Sequence, residues 1–402
     1  MATRRTYLDN ASTTFPKPPC VTEAVCRYMT EMGTNVGRGE YASAFDTEDL
    51  VFDTRAALCA LLGGADPSDV VFTRNVTEAL NLVLKGFLHP GDHVIVSSME
   101  HNAVMRPLTQ LAAAGVTFSR AQCAPDGTLD ATEVERLICP QTRAVVMTHA
   151  SNVCGTILPV CEVGAICRRH GIPLVIDAAQ TAGVVPISME ECCAAAICFT
   201  GHKGLLGPQG IGGCVLDPAF AEGLEALVAG GTGSSSDSEE MPSFMPDRLE
   251  AGTPNLPGLA GLAAALGWLE KTGMDTVRAH EQALTQRLID GLAPLADAGH
   301  VRLAGLPGTE GRTGVVSIQT PGYDLSQVAH DLDARFGIQT RVGLHCAPSA
   351  HKTLGTFPAG TIRFSLGWAN TEADVDLAIS ALGELLALPS STRERMAALA
   401  MR

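Results

Sequence analysis

The sequence predicts an α/β protein with a mainly parallel sheet covered by helices on both faces, followed by a smaller C-terminal α/β domain. Two observations support this prediction. Between residues 70 and 216, short apolar runs alternate with helix-like segments, and the runs are continuous rather than interrupted by polar residues. Continuous apolar runs are typical of strands that are buried on both faces of a parallel sheet. After residue 257, long Ala/Leu-rich helical stretches lead into a second, shorter α/β pattern.

The predicted elements follow from these two patterns. In the first, the strands are 70–73, 94–96, 144–147, 174–176, 197–199 and 212–216, and the helices are 77–87, 102–113 and 160–170. The last of these strands follows residue 203 closely, which predicts an antiparallel edge strand. In the second pattern, helical stretches over 257–297 precede strands 315–318 and 361–365 and helices 325–336 and 372–386. Strands that alternate with helices indicate a layered α/β fold.

Four parts are expected along the chain: an N-terminal segment (1–15), a large domain (16–256), a small C-terminal domain (257–390) and a tail (391–402). The N-terminal segment is polar, so we expect it to wrap the surface or to join the small domain. Residues 230–243 are rich in glycine and serine and cannot pack a core, which predicts a mobile loop or linker.

Composition excludes several classes of function. The chain has 402 residues, of which 46% are apolar and 18% charged, and its formal net charge is −15. Because an acidic chain repels phosphate backbones, no nucleic-acid partner is expected. The N-terminus has no apolar core of signal-peptide length, and the longest mostly apolar segment, 256–269, is too short to span a bilayer. We therefore expect a cytoplasmic protein without a membrane partner, whose 13 cysteines are reduced thiols rather than a disulfide framework.

Lys203 and Asp177 form the first candidate site. Lys203 lies in the Gly-rich stretch 200–204, directly after the apolar run 194–199, and Asp177 ends the apolar run 172–176. This arrangement suits pyridoxal phosphate, because a lysine amine forms a Schiff base with that cofactor and a carboxylate keeps its pyridine nitrogen protonated. The alternative is a surface lysine on a glycine turn together with an acidic cap.

Four more side chains follow predicted strands, where ligands bind in parallel α/β sheets. Thr77 begins a helix whose free amides would seat a phosphate, and His101 would stack on a pyridine ring. Asn152 and Gln180 would hydrogen-bond the ring hydroxyl or a substrate. Taken singly, Thr77 is better explained as part of a plain helix cap, and His101 is equally well explained as a capping residue. Their convergence on one crevice is what favours a cofactor site.

Two motifs in the C-terminal part concern the substrate. Arg363 lies within a strand-like run, where a buried guanidinium needs an anionic partner; an amino-acid carboxylate fits it, and an internal salt bridge is the alternative. Cys346 lies in the segment 341–348, near Arg341 and His345, and nearby positive charge raises the thiolate fraction of a cysteine. The alternatives are an inert buried thiol or a metal site with two histidines. The latter lacks a fourth ligand at the usual spacing, so no metal is expected.

In this order, the motifs resemble those of the class V aminotransferase-like group of fold-type I pyridoxal phosphate enzymes, and within it the cysteine desulfurases and selenocysteine lyases. The resemblance runs from Tyr7-Leu8-Asp9-Asn10-Ala11 to the helix after Asn370-Thr371. Its most specific matches are the blocks 200–203 and 177–180 and the loop from Arg341 to Cys346 followed by Arg363. It implies a seven-stranded, mainly parallel sheet in the large domain and a homodimer whose sites lie at the subunit interface.

The resemblance also implies a role for each candidate residue. Lys203 would carry the cofactor and later move a proton, Asp177 would pair with the ring nitrogen, Gln180 would bond the ring hydroxyl, and His101 would stack on the ring. The phosphate would be held by Thr77, Thr200 and His202, and Thr253 would reach the phosphate of the neighbouring subunit. The substrate carboxylate would be bound by Asn152 and Arg363, with Arg341 nearby, and Cys346 would attack the sulfur.

The implied activity is that of a cysteine desulfurase, a sulfurtransferase that converts L-cysteine to L-alanine and leaves a persulfide on Cys346 for a sulfur-acceptor protein. Three alternatives stay open: a selenocysteine lyase, a C–S lyase or aminotransferase of the same fold in which Cys346 is not catalytic, and a non-catalytic pyridoxal phosphate-binding partner protein. Leu344 departs from the pattern, since the desulfurases with this loop often have a histidine there. That departure leaves the preferred sulfur or selenium amino acid open.

Overall fold

The computed structural model describes residues 5–37 and 39–386, so the expected tail 391–402 lies outside the described residues. The strands are β1 (Thr6–Tyr7), β2 (Val70–Thr73), β3 (His93–Ser97), β4 (Thr117–Ala121), β5 (Thr142–Thr148), β6 (Leu174–Asp177), β7 (Ala196–Thr200), β8 (Gly212–Leu216), β9 (Arg302–Ala304), β10 (Val315–Gln319), β11 (Ile338–Gln339), β12 (Arg341–Gly343) and β13 (Thr361–Ser365).

The helices surround these strands. They are α1 (Pro19–Arg27), α2 (Ala42–Leu62), α3 (Val76–Phe87), α4 (Asn102–Ala112), α5 (Thr132–Arg136), α6 (Val160–His170), α7 (Pro218–Glu222), α8 (Leu256–Thr272), α9 (Met274–Asp297), α10 (Leu325–Phe336), α11 (Pro348–Thr353) and α12 (Glu372–Leu385). A π-helical segment, Tyr28–Met32, continues α1, and a 3-10 turn, Pro67–Asp69, leads into β2.

The large sheet has seven strands in the order β2-β8-β7-β6-β5-β3-β4. Neighbours from β7 to β4 are parallel, and β8 is antiparallel to both of its neighbours. The predicted fold class is confirmed. The expectation that 212–216 forms an edge strand is wrong, because β2 pairs with its outer side. The sequence analysis also missed β4, an edge strand whose residues are mostly polar or partly exposed.

Each face of the large sheet has its own apolar core, which explains the continuous apolar runs. In β5, Val145 and Met147 pack on one face with residues of α2, α6 and α8. Ala144 and Val146 pack on the other face with residues of α3 and α4. Successive side chains of a strand point to opposite faces, so the part of a strand that is covered on both sides is apolar at successive positions.

A second sheet, of four antiparallel strands in the order β12-β13-β10-β9, packs with α9, α10 and α12 around a third core. The start of the chain joins this part: β1 pairs in parallel with β11, and Leu8 is wholly buried in the third core. Helix α8, by contrast, packs against α1 and α2. The domain boundaries given above stay a prediction.

Two further expectations concern membranes and cysteines. Across the described residues, the structure contains no helix that is both long and apolar enough to cross a membrane. Cys161, in the first turn of α6, is joined to Cys192 by a disulfide, so the expectation of reduced thiols is wrong for this pair. The two segments are in close contact, since a Cβ on Gly164 would come within 1.7 Å of the Cys192 carbonyl oxygen.

Candidate active site

The candidate residues gather at the carboxyl ends of neighbouring parallel strands. β7, β6, β5 and β3 lie side by side, and they lead respectively into Lys203, Asp177, Asn152 and His101. Thr148, the last residue of β5, is paired in register with Asp177, the last residue of β6. Because parallel strands end at one edge of the sheet, four separate segments of sequence contribute to one crevice.

Lys203 and Asp177 perturb each other across this crevice. Burial lowers the pKa of Lys203 to about 8; the attraction of Asp177 opposes that shift and the repulsion of Arg363 adds to it. Burial raises the pKa of Asp177, against the opposing effects of the Ala179 N–H, 2.9 Å from its Oδ1, and of Lys203. A lysine with a lowered pKa is more often neutral near pH 7 and therefore a better nucleophile towards an aldehyde.

His101 caps α4 and is held in one orientation by that cap. Its Nδ1 accepts a hydrogen bond from the Ala103 N–H at 2.9 Å, which leaves the ring proton on Nε2. Burial, together with repulsion from Lys203, lowers the pKa of His101 to about 4. The imidazole is therefore neutral at physiological pH and presents an uncharged aromatic ring beside the lysine.

Thr200 and His202 carry polar atoms that the protein itself leaves without partners. Among the described residues, the buried Thr200 Oγ1 and His202 Nδ1 have no hydrogen-bond partner. Burial lowers the pKa of His202 to about 4, with repulsion from Lys203 and Lys17. Buried polar atoms without partners are uncommon in folded proteins and often mark a ligand site. Both atoms flank Lys203, where a bound phosphate would satisfy them.

Thr77 lies in the first turn of α3, a helix that begins next to the end of β7. Thr200 and Thr73 pair in register with Gly212 from its two sides, and Asn75 caps α3 immediately after Thr73. The approach is close: a Cβ on Gly212 would come within 2.7 Å of the Cα of Asn75. The N-terminus of α3, with the exposed Thr77, therefore lies beside Thr200, as a phosphate seat requires.

Gln180 and Lys203 line the same small cavity of about 40 Å³, whose lining also includes Asn10 and Glu281. The Gln180 Nε2 donates to the Ala11 carbonyl at 3.1 Å. This bond ties the loop after β6 to the N-terminal segment.

Arg363 has an internal ion pair. It is 2% exposed, and its Nη2 donates to Asp9 Oδ1 at 2.8 Å and to Ser12 Oγ at 2.7 Å. Its Nη1 donates to the Asn152 carbonyl at 2.9 Å, while its buried Nε has no partner among the described residues. The salt-bridge interpretation of Arg363 is therefore correct as a description of the free chain. One donor nevertheless remains available for a ligand, so carboxylate binding stays a prediction.

Cys346 is exposed on a loop that is fastened to the crevice at two points. The Asn152 Nδ2 donates to the His345 carbonyl at 2.7 Å, and the Asn102 N–H donates to the Cys346 carbonyl at 2.8 Å. His345 and Cys346 have φ values of 48° and 57°, in the left-handed region that non-glycine residues rarely adopt. The amide of Asn152 is thus engaged by the loop. The left-handed turn and the two anchors hold the backbone of this loop beside Asn102, which follows His101, and beside Asn152, which also contacts Arg363.

Thr253 is the candidate that the structure does not bring to this crevice. It is exposed and lines a separate cavity of about 1070 Å³, together with Thr73 and Arg74 near the start of α3 and with Asn255, the cap of α8. Within one chain it has no contact with Lys203 among the described hydrogen bonds.

Sequence reasoning missed the residues that the N-terminal segment adds to the site. Asp9 and Ser12 contact Arg363, Thr14 Oγ1 donates to the Lys203 carbonyl at 2.9 Å, and Lys17 Nζ donates to the His202 carbonyl at 2.7 Å. In the sequence, residues 7–11 mark the start of the family resemblance, and their pattern predicts no site residue. A charged residue between an apolar residue and a polar, turn-like run is a weak signal, and nothing in local sequence pairs it with residue 363.

The family of the chain follows from its likeness to known proteins. The aminotransferase class-V family model matches residues 6–377, and the chain belongs to this family. It is therefore an enzyme chain with the fold of pyridoxal phosphate-dependent transferases.

Its relatives narrow the class further. The probable cysteine desulfurase of Halobacterium salinarum is 35% identical, covering 94% of this chain and 91% of the relative. The cysteine desulfurase of Haloferax volcanii is 32% identical, over 94% of this chain and 88% of the relative.

Solved structures give the same result. The cysteine desulfurase of Thermococcus onnurineus has a TM-score of 0.88 and 32% identity over 95% of this chain and 94% of that one. The cysteine desulfurase CsdA of Escherichia coli has a TM-score of 0.83 and 28% identity over 95% and 94%. The resemblance to the cysteine desulfurases and the fold-type I architecture are both confirmed.

Proposed function

We propose that this chain is a pyridoxal phosphate-dependent cysteine desulfurase, which converts L-cysteine to L-alanine and transfers the sulfur to Cys346 as a persulfide. One observation carries the proposal: the loop that bears the exposed thiol of Cys346 is tied through its backbone carbonyls by Asn102 and Asn152 to the crevice that contains the buried amine of Lys203. A thiol held beside a reactive lysine is what a sulfur-transfer reaction requires, whereas an aminotransferase has no use for it.

The described residues fit the cofactor. Lys203 would bind its aldehyde, Asp177 its ring nitrogen, His101 its ring face and Gln180 its ring hydroxyl. The unpartnered atoms of Thr200 and His202, together with the first turn of α3, would receive the phosphate. A protonated ring nitrogen would offset the desolvation that raises the pKa of Asp177 and keep that carboxylate ionised. When bound, the cofactor would supply an electron sink for the α-carbon of the substrate.

The protein residues would then divide the remaining tasks. Arg363 binds the substrate carboxylate and thereby orients its α-carbon towards Lys203, whose pKa of about 8 suits an amine that both accepts and returns a proton near neutral pH. Cys346 attacks the substrate sulfur: an S–S bond forms as the Cβ–S bond breaks, and the carbon takes up a proton to become the methyl group of alanine. Substrate thiol plus enzyme thiol gives alanine plus persulfide, so no external oxidant or reductant is needed.

A second copy of the chain would cover the large cavity that contains Thr253. Large apolar side chains are exposed beside it: Phe52 and Val228, which line it, are 59% and 54% exposed. Exposed apolar surface of this kind favours burial in an interface. A homodimer would place Thr253 at the phosphate of its neighbour. The persulfide on the exposed Cys346 would pass to a sulfur-acceptor protein. The cytoplasmic location stays a prediction.

The dimer is tested by replacing Phe52 with glutamate. Sedimentation of Phe52→Glu should show a shift from dimer to monomer. The monomer should also retain the cofactor more weakly, because Thr253 of the neighbouring subunit no longer reaches the phosphate. Leu377→Glu, which alters an exposed apolar residue on α12, is the matched control and should remain dimeric. An unchanged mass for Phe52→Glu would contradict this interface.

The activity is tested by incubating the holoenzyme with L-cysteine or L-selenocysteine and measuring alanine, sulfide and selenide. Cys346→Ala should keep the visible absorbance of the cofactor while alanine production from L-cysteine collapses; Cys26→Ala, at another exposed cysteine, should behave as wild type. Full turnover in Cys346→Ala would indicate a C–S lyase or aminotransferase instead. Alanine formed mainly from L-selenocysteine would indicate a selenocysteine lyase, and bound cofactor without any product would indicate a non-catalytic binding protein.

A further inference from the structure

Asp9 lies between two arginines that approach it from the same sheet. Arg341 and Arg363 are cross-strand partners on β12 and β13, so their side chains extend from the same face. Asp9 Oδ1 is 2.8 Å from Arg363 Nη2, and Asp9 Oδ2 is 3.7 Å from Arg341 Nη1. The Arg363 side chain is 3% exposed, that of Asp9 16% and that of Arg341 48%, so the three charges run from the interior to solvent.

In this arrangement, one of the two Arg363 nitrogens that would bind a ligand carboxylate already has partners within the protein. A guanidinium binds a carboxylate most strongly through two parallel N–H donors, and the edge formed by Nε and Nη2 offers such a pair. In the free chain Nη2 is engaged by Asp9 and Ser12, whereas Nε is buried and has no partner among the described residues. Nη1, which donates to the Asn152 carbonyl, is not part of that edge.

A ligand carboxylate and Asp9 cannot both hold Nη2 closely, because like charges at that distance repel strongly where solvent is scarce. A carboxylate that completes the Nε–Nη2 edge must therefore move Asp9 away from Arg363. The nearest cation that could retain it is Arg341, which already contacts the other oxygen of Asp9 and is further supported by a 3.0 Å hydrogen bond from its Nη1 to Ser12 Oγ.

We propose that Asp9 is a resident counter-ion of Arg363, which the substrate carboxylate displaces and which Arg341 then holds. The inference deepens the proposed function and rests on Arg363 being the carboxylate-binding residue. Asp9 is a positioning residue: it keeps the buried guanidinium compensated and oriented before substrate arrives, and it competes with the carboxylate afterwards. The competition weakens binding of the substrate and, by the same amount, of the product alanine, which carries the same carboxylate. Ligands without a carboxylate leave the Asp9–Arg363 pair intact.

The test uses the holoenzyme and 3-mercaptopropionate, which retains the carboxylate and thiol of cysteine but has no amine to react with the cofactor. Its dissociation constant is measured by calorimetry, with 2-mercaptoethanol as the probe that lacks a carboxylate. Asp9→Asn should bind 3-mercaptopropionate roughly tenfold more tightly, because a charge-assisted competitor has been removed. In steady-state assays with L-cysteine, KM and kcat should fall together as alanine leaves more slowly. Asp9→Ser serves as a second variant should Asp9→Asn fail to fold.

A double-mutant cycle tests the role of Arg341. Arg341→Gln should weaken 3-mercaptopropionate binding when Asp9 is present, because the displaced Asp9 carboxylate then has no cation to pair with. The same change should have little effect in the Asp9→Asn background. Asp275→Asn, which removes a negative charge at an exposed position on α9 away from this cluster, is the matched control and should change affinity by less than about threefold.

Two outcomes would overturn the inference. Weaker binding in Asp9→Asn would mean that Asp9 only orders Arg363. Equal weakening by Arg341→Gln in both backgrounds would mean that Arg341 binds the carboxylate itself. Failure of the underlying function looks different: wild-type protein would show no saturable binding of 3-mercaptopropionate, or Arg363→Gln would bind it as well as wild type does.

Discussion

Glu281 offers a quantitative test of the electrostatics beneath the site. It lies on α9 at 8% exposure, lines the same small cavity as Lys203, and its carboxyl makes no hydrogen bond or ion pair with the described residues. Burial raises the pKa of Glu281 from 4.5 to about 8. The folded chain therefore holds a proton at Glu281 that the unfolded chain releases, so the contribution of this group to stability is fully present below about pH 4.5 and is lost as pH rises towards about 8.

The size of the effect follows from that shift. Each pH unit within the window costs about 1.4 kcal/mol of the free energy of unfolding. Between pH 5 and pH 7, wild type should therefore lose about 3 kcal/mol more than Glu281→Gln, which cannot ionise. Glu100, whose pKa is also raised to about 8, contributes a similar slope, but it is present in both proteins and cancels in the difference.

The assay is urea unfolding of wild type and Glu281→Gln at pH 5, 6 and 7, followed by circular dichroism and tryptophan fluorescence. Glu310→Gln, at an exposed position, is the matched control and should keep the wild-type slope. Parallel pH profiles for wild type and Glu281→Gln would refute the reasoning, since they would mean that Glu281 is ionised in the folded chain and compensated by a partner.

Three further changes test the site. Thr200→Val removes a buried hydroxyl that has no partner in the described chain. Absorbance titration should therefore show about tenfold weaker affinity for the cofactor, while the cofactor-free chain should unfold at the same denaturant concentration. Unchanged affinity would contradict a role of Thr200 in phosphate binding. Asn152→Ala leaves the His345 carbonyl unpaired, which destabilises the loop by about 1–3 kcal/mol. Iodoacetamide should therefore alkylate Cys346 faster, without loss of cofactor absorbance. An unaltered rate of alkylation would show that this hydrogen bond is not needed to hold the loop. With cofactor-free protein, the rate of pyridoxal phosphate addition to Lys203 should rise with pH to a midpoint near 8, because only the neutral amine reacts; a flat profile would be incompatible with the lowered pKa.

Much of the fold was predictable because it depends on buried strands. β3, β5, β6 and β7 each contain an uninterrupted run of three or four apolar residues, which is typical of a sheet covered on both faces. β4 escaped notice because an edge strand needs no such pattern. The place of β8 was misjudged because the pairing of β2 with β8 joins segments that are far apart in sequence, and local patterns carry no information about such a pairing.

The candidate site was predictable to the extent that its residues follow strands. Lys203, Asp177, His101 and Asn152 each come directly after an apolar run, and the rule that ligands bind at the carboxyl ends of parallel strands brings them together. Asp9 follows no such rule. It reaches Arg363 because β1 pairs with β11 and Asp9 itself bridges Ser365 at the end of β13, and these pairings are properties of the tertiary structure alone.

The pairing of Asp9 with Arg363 has a consequence for how the protein is made. The two residues are separated by 354 positions, so the first part of the site leaves the ribosome long before its partner exists. At about 5–20 residues per second, the interval is on the order of 20–70 s. During that time the nascent segment that contains Asp9 remains without its ion pair, so this part of the site is completed only after β13 has been synthesised.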